Sequence, residues 1–220
     1  MRFRLPIGFY FALTACAALL VAVAPCAMAR PAKVILLRHA EKPDNENNPN
    51  LSERGRNRAN ALVGFFANEL GIDTNNPPAA LFATRPVRGS RSLRSQQTLL
   101  PLSRALTITI RQPEGADRYD RLAAHLLTNP EFDGKTVVVC WVHDELGPLA
   151  RALGAEPKPK DWKSSSYDRV WSLNFKKKEV RCKTVLQELL PGDEAAEGLR
   201  RSSQKPISFP SRASPSLQEF

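Results

Sequence analysis

Two of the three histidines stand directly after apolar, strand-like runs: His39 closes "VILLRH" and His143 closes "VVVCWVH". Alone, each could be a satisfied core imidazole. Arg38 changes the weighing, because a guanidinium that follows four apolar residues needs a partner or a ligand. Its planar fork of donors suits phosphate oxygens. Arg94 opens "RSQQT". Its spacing to Thr98 puts both on one helical face, near a helix start that favours anions. Two histidines and two arginines suit phosphoryl chemistry. A neutral imidazole nitrogen can attack phosphorus, while guanidiniums and a second imidazole stabilise the equatorial oxygens. With that positive charge built in, neither a metal nor a cofactor is required. His125, in the middle of "RLAAHLL", reads as structural or surface. Arg85, Arg88 and Arg91 read as a solvated basic loop.

These side chains need elements that bring them to one edge. The runs at 33–37, 79–84, 105–110 and 136–142 are short, apolar and rich in β-branched residues, and read as buried strands. Between them lie helical segments at 52–70, 92–103, 117–127 and 145–153. In the first, Ser52 is the expected N-cap, and Ala59, Leu62, Phe66 and Leu70 share a face. Alternation of this kind predicts an α/β fold, a three-layer α/β/α sandwich with a mostly parallel sheet. "DRVWSLNF" and "EVRCKTVLQEL" flank a lysine run and predict a closing antiparallel hairpin. Ligands of open α/β sheets bind outside the carboxyl ends of the strands, which is where His39 and His143 fall.

Residues 1–29 carry Arg2 and Arg4, a long uncharged apolar run and Ala27-Met28-Ala29, the pattern of a cleaved secretory signal. That predicts a periplasmic or secreted protein with no stable membrane insertion after cleavage. An uncleaved anchor is the alternative, with a lipoprotein at Cys16 behind it. The domain is expected over 30–193, followed by a disordered Ser- and Pro-rich tail over 194–220. The net charge of +10 at pH 7, less Arg2 and Arg4, leaves +8, an excess that suits anionic substrates. The arginine-rich stretch has no interleaved aromatic residues, which argues against nucleic acid. Cys140, in a strand, reads as a buried free thiol. A disulfide to Cys182 is the alternative that export permits.

The same residues resemble the histidine phosphatase superfamily, the fold shared by cofactor-dependent phosphoglycerate mutases and histidine acid phosphatases. "LLRHAEK", "LSERGRNRANAL", "RSQQT" and "VVVCWVH" match its four signatures in order. "YDRVW" and "ARALG" resemble a small exported bacterial branch. The resemblance implies a phosphatase acting on a phosphorylated small molecule or phosphopeptide, with no metal, and specifies no oligomeric state. His39 would be the nucleophile that becomes phosphohistidine. Arg38, Arg94 and His143 would bind the phosphoryl oxygens, with Glu41 of the signature counted among the substrate-binding set, although such a residue more often fixes the loop than donates a proton. Asp144 is the first candidate proton donor, with Glu145 and Glu114 behind it. The insert at 42–50 stands where a mutase holds its substrate-specific residues, which argues against a mutase. The alternative is a catalytically weak phosphate-binding protein that retains the pocket.

Overall fold

The run at 33–37 becomes β1 (Lys33–Arg38), whose side chains are buried on both faces from Val34 onward. A strand with neighbours on both edges and helices over both faces has no polar side to present, hence the unbroken apolar run. The computed structural model describes residues 30–193 other than 46, 158, 160, 161 and 178. The leader expected over 1–29 and the tail expected over 194–220 lie outside the described residues.

After β1 come α1 (Glu53–Leu70), β2 (Ala80–Ala83), α2 (Arg94–Leu106), β3 (Ile110–Arg111), α3 (Tyr119–Thr128) and β4 (Thr136–Trp141). Then α4 (His143–Ala152), β5 (Ala155–Glu156), β6 (Arg169–Phe175) and β7 (Val180–Leu186) complete the domain. The seven strands form one sheet in the order β3-β2-β4-β1-β6-β7-β5. β1 pairs in parallel with β4, β2 with β4 and β3, and β5 with β7, while β6 is antiparallel to both β1 and β7. β6 is therefore the one strand running against the rest. The expected sandwich and closing hairpin are both present.

Alternation along β1 and β4 divides the core in two. Val34, Leu36, Val137, Val139 and Trp141 pack with α3 and α4 through Leu122, Leu126, Leu146 and Leu149. Ile35, Leu37, Val138 and Cys140 pack with α1 and α2 through Leu62, Phe66, Leu99 and Leu102. The neighbours β1 and β4 thus send their following helices to opposite faces. That makes the gap between their carboxyl ends a topological switch point, the crevice in which such sheets take ligands.

One expected strand is corrected. The run at 105–110 is not a six-residue strand: α2 continues to Leu106 and ends on Thr107 in the left-handed region, φ 57°. Only Ile110–Arg111 pairs with β2. Leu106 extends the apolar face that already carries Leu99 and Leu102, so helical packing wins over local β-propensity. The disulfide alternative is also excluded, since Cys140 and Cys182 are free. β4 and β7 are separated by β1 and β6. Three strand spacings of about 4.8 Å put the two thiols far beyond the roughly 7 Å Cα limit of a disulfide. Burial pushes the Cys182 thiol up to about 11 and that of Cys140 higher still.

Candidate active site at the carboxyl edge of the sheet

His39 follows the last residue of β1, and its amide donates to the Trp141 carbonyl at 3.1 Å, extending the β1–β4 ladder by one step. The residue is 5% exposed. Its Nδ1 lies 2.7 Å from the Ala40 carbonyl oxygen. A carbonyl only accepts, so Nδ1 carries the proton and the neutral ring keeps its lone pair on Nε2. Burial pushes the imidazole down to about 3 against the pull of that hydrogen bond, and the charges of Arg38 and Arg94 and the neighbouring His143 act in the same direction. Residues 38, 39, 94 and 143, far apart in sequence, thus share one electrostatic neighbourhood. The ring is an unprotonated imidazole across the physiological range.

That shift has a measurable sign. The unfolded histidine takes up a proton as pH falls below its ordinary value of about 6.5, whereas the folded one does not until about 3. His39 therefore costs stability progressively as pH falls through that window. At pH 4.5 the cost is about 2–3 kcal/mol, from two units at about 1.4 kcal/mol each. Denaturant unfolding should show the parent losing that much more than His39→Gln between pH 7 and pH 4.5. The His39 Cε1–H resonance should stay unshifted down to pH 4.5. A midpoint near 6.5 would contradict the geometry.

The backbone around His39 is fixed from two helices. The Ala40 amide donates to Thr98 Oγ1 at 2.8 Å, and that hydroxyl donates to the Arg94 carbonyl at 2.7 Å. The Arg94–Thr98 spacing read from the sequence is therefore a brace between the loop after β1 and the first turn of α2. From the other side, Ser52 caps α1 by accepting from the Gly55 amide at 3.0 Å, and its own amide donates to the Glu41 carbonyl at 2.9 Å. A Cβ on Gly55 would collide with that carbonyl. Only glycine lets the first turn of α1 approach the loop so closely.

Arg38 is 3% exposed. Its Nη1 donates to the carbonyls of Ser164 at 2.5 Å and Ser166 at 3.1 Å, and its Nη2 donates to the Tyr167 hydroxyl at 3.1 Å. Its Nε–H is buried with no partner among the described residues. Arg94, at the start of α2, donates to the carbonyls of Asn48 at 2.8 Å and Asn50 at 3.3 Å, so the insert at 42–50 docks on this helix. Arg85, Arg88 and Arg91 are exposed, in keeping with a basic loop.

His143 opens α4, two residues earlier than expected, so its ring sits at a helix N-terminus. Burial lowers its pKa, helped by Arg38 and opposed by Asp144. Its Nε2 is 3.0 Å from Asp144 Oδ1. Glu145 follows in the same turn. Burial raises its carboxyl, with Asp144 and Asp117 adding to the rise. Glu114 lies on the loop before α3, where its carbonyl accepts from the Arg85 amide at 2.7 Å.

Glu41, the signature residue expected to fix the loop and counted with the substrate-binding set, has its carboxylate held by guanidiniums. Oε1 accepts from Arg54 Nε at 3.1 Å and Arg58 Nη2 at 2.8 Å, and Oε2 from Arg58 Nε at 3.1 Å. The same Arg58 donates to both carboxylate oxygens of Asp193 at 2.6 and 3.0 Å and to Gln187 Oε1 at 3.0 Å. Glu41 thus anchors the signature loop to α1 and to the end of the domain. Sequence reasoning missed Arg58, Gln187 and Asp193. The available signal was Arg58 itself, a basic residue one position from Ala59 on the apolar face of α1.

No family model matches the chain, and no curated protein matches it. Solved structures do. The protein histidine phosphatase SixA complexed with tungstate aligns over 70% of this chain and 97% of its own, with 15% identity and a TM-score of 0.50. A candidate alpha-ribazole-5'-P phosphatase from Escherichia coli K-12 aligns over 73% of this chain and 98% of its own, with 12% identity and a TM-score of 0.53. This chain has the histidine phosphatase fold. In this chain the end of β1 and the residue after it, the start of α2 and the start of α4 hold Arg38 and His39, Arg94, and His143. At these identities the likeness concerns the fold.

Proposed function

We propose that the protein is a metal-independent phosphatase that hydrolyses a phosphomonoester through a phosphohistidine on His39. The observation that carries this reading is the state of His39. It is a buried neutral imidazole with its proton fixed on Nδ1 by the Ala40 carbonyl, beside an arginine whose buried Nε–H has no acceptor among the described residues. A buried donor without an acceptor costs about 1–3 kcal/mol, and a phosphoryl oxygen supplies the missing acceptor.

In this reading, His39 Nε2 attacks phosphorus as the bond to the leaving oxygen breaks. Arg38, Arg94 and His143 balance the charge on the remaining oxygens. The leaving oxygen takes a proton from a carboxyl group in the first turn of α4. A water then attacks the phosphohistidine, gives its proton to the same carboxylate and releases inorganic phosphate, leaving Nε2 free. Asp144, beside His143 Nε2, is the donor favoured by position. Glu145 holds its proton to higher pH and is the second candidate. We extend the proposal to an exported protein, on the strength of the leader pattern at 1–29.

The test is hydrolysis of p-nitrophenyl phosphate, with and without EDTA and vanadate. Turnover that withstands EDTA and is inhibited by vanadate supports the proposal. A folded protein inactive across a broad phosphoester panel contradicts it. Asp144→Asn and Glu145→Gln, assayed with leaving groups of graded pKa, identify the donor. Loss of the true donor slows substrates with poor leaving groups most.

A further inference from the structure

The loop before β6 presents Tyr167 to the crevice. The guanidinium carbon of Arg38 lies 3.9 Å from the centroid of the Tyr167 ring, and Arg38 Nη2 donates to the phenol oxygen at 3.1 Å. The Tyr167 ring centroid is 6.2 Å from that of His39. One aromatic side chain therefore touches the cation of the proposed clamp and flanks the proposed nucleophile. It does so from a stiff base. Trp162 Nε1 donates to the Ser166 carbonyl at 2.9 Å, and the Trp162 ring packs against Trp171 with centroids 4.7 Å apart. On the other side, the Gln187 amide donates to the Asp168 carbonyl at 2.7 Å.

A buried guanidinium has five N–H donors in a fixed plane. Here the carbonyls of Ser164 and Ser166 and the Tyr167 hydroxyl occupy the two terminal nitrogens, and the ring face fixes the plane. Three of the five donors are thus used; the second N–H of Nη2 and Nε–H remain, and Nε is the buried nitrogen with no partner among the described residues. Resting on the phosphatase reading, we propose that Tyr167 is a positioning residue. By stacking on Arg38 and accepting from Nη2, it holds the guanidinium so that Nε–H meets the phosphoryl group. Stacking is assigned most of the effect, because the ring face is what fixes the guanidinium plane.

A positioned arginine matters most where charge is redistributed, so its loss should lower kcat more than it raises KM. Tyr167→Ala should weaken orthovanadate binding, measured by calorimetry, about tenfold, corresponding to about 1.4 kcal/mol. It should lower kcat on p-nitrophenyl phosphate by at least as much. Tyr167→Phe, which keeps the ring, should restore both to within about threefold. Tyr167→Leu, which fills the space without a π face, should behave like Tyr167→Ala and serves if the alanine variant does not fold. Parent-like vanadate affinity and kcat in Tyr167→Ala or Tyr167→Leu would overturn the inference, as would a phenylalanine variant no better than either. Turnover that persists in His39→Ala would instead sink the phosphatase reading. The vanadate arm reads Tyr167 whether or not the parent turns over.

Discussion

A His39→Ala variant is expected to fold and to lose phosphomonoester turnover by roughly 10⁴-fold or more, the scale on which removal of a covalent nucleophile acts. The size follows from how the imidazole is held. Burial and the neighbouring positive charges keep the ring neutral, and the Ala40 carbonyl fixes the proton on Nδ1. The reacting lone pair on Nε2 is therefore present without prior deprotonation. Neither of the other two histidines offers an equivalent group: His143 points Nε2 at Asp144, and His125 is an exposed residue of α3 against Phe82 and Phe132. The variant should also be more acid-stable than the parent, because it lacks a histidine that resists protonation when folded. Steady-state kinetics on p-nitrophenyl phosphate and denaturant unfolding at two pH values check both parts. A His39→Ala enzyme within tenfold of the parent would refute the assignment.

The second large effect is on stability. Arg58→Met is expected to cost about 3–5 kcal/mol, the usual result of removing one partner from a buried ion pair. Domains of this kind have only about 5–15 kcal/mol in total. Arg58 is 2% exposed and satisfies both Glu41 and Asp193. Methionine would fill much of the space and leave both carboxylates with only the more exposed Arg54 guanidinium. Burial alone would raise the Asp193 carboxyl, but hydrogen bonds from Arg58 and from the Leu190 and Leu189 amides hold it below its ordinary value. That contribution is present above the unfolded pKa of about 3.9 and is lost as pH falls through the lower folded value. In Arg58→Met this acid-side loss should shrink or reverse. Adding Glu41→Gln and Asp193→Asn should recover part of the stability, because no buried charge is then left unpaired. A urea midpoint unchanged in Arg58→Met would show that the network contributes nothing.

The positions of the site residues were legible in the sequence because strand and histidine are contiguous. An apolar run that ends in Arg38-His39 or in His143 needs only parallel pairing of β1 with β4 to bring the two histidines together, and that register is present. Arg94 and Thr98 were legible through helical spacing. The roles of the polar atoms were not legible, because they depend on partners more than a hundred residues away. Arg38 meets Ser164, Ser166 and Tyr167, and Arg58 meets Gln187 and Asp193. Glu41 illustrates the difficulty: a loop-fixing role is readable for a carboxylate two residues after His39, but not that Arg54 and Arg58 are the groups that hold it. The run at 105–110 misled for a different reason. Its β-branched residues satisfy a strand pattern locally, but an apolar helical face shared with Leu99 and Leu102 outweighs it.

The most direct measurement is rapid-quench trapping of the enzyme with a ³²P-labelled aryl phosphate, followed by mass mapping of the labelled peptide. The account predicts one phosphoryl group per chain on His39, stable in alkali, labile in acid and absent from His39→Ala. A phosphoryl group on another residue, or full turnover with no covalent species in the quenched parent, would contradict it.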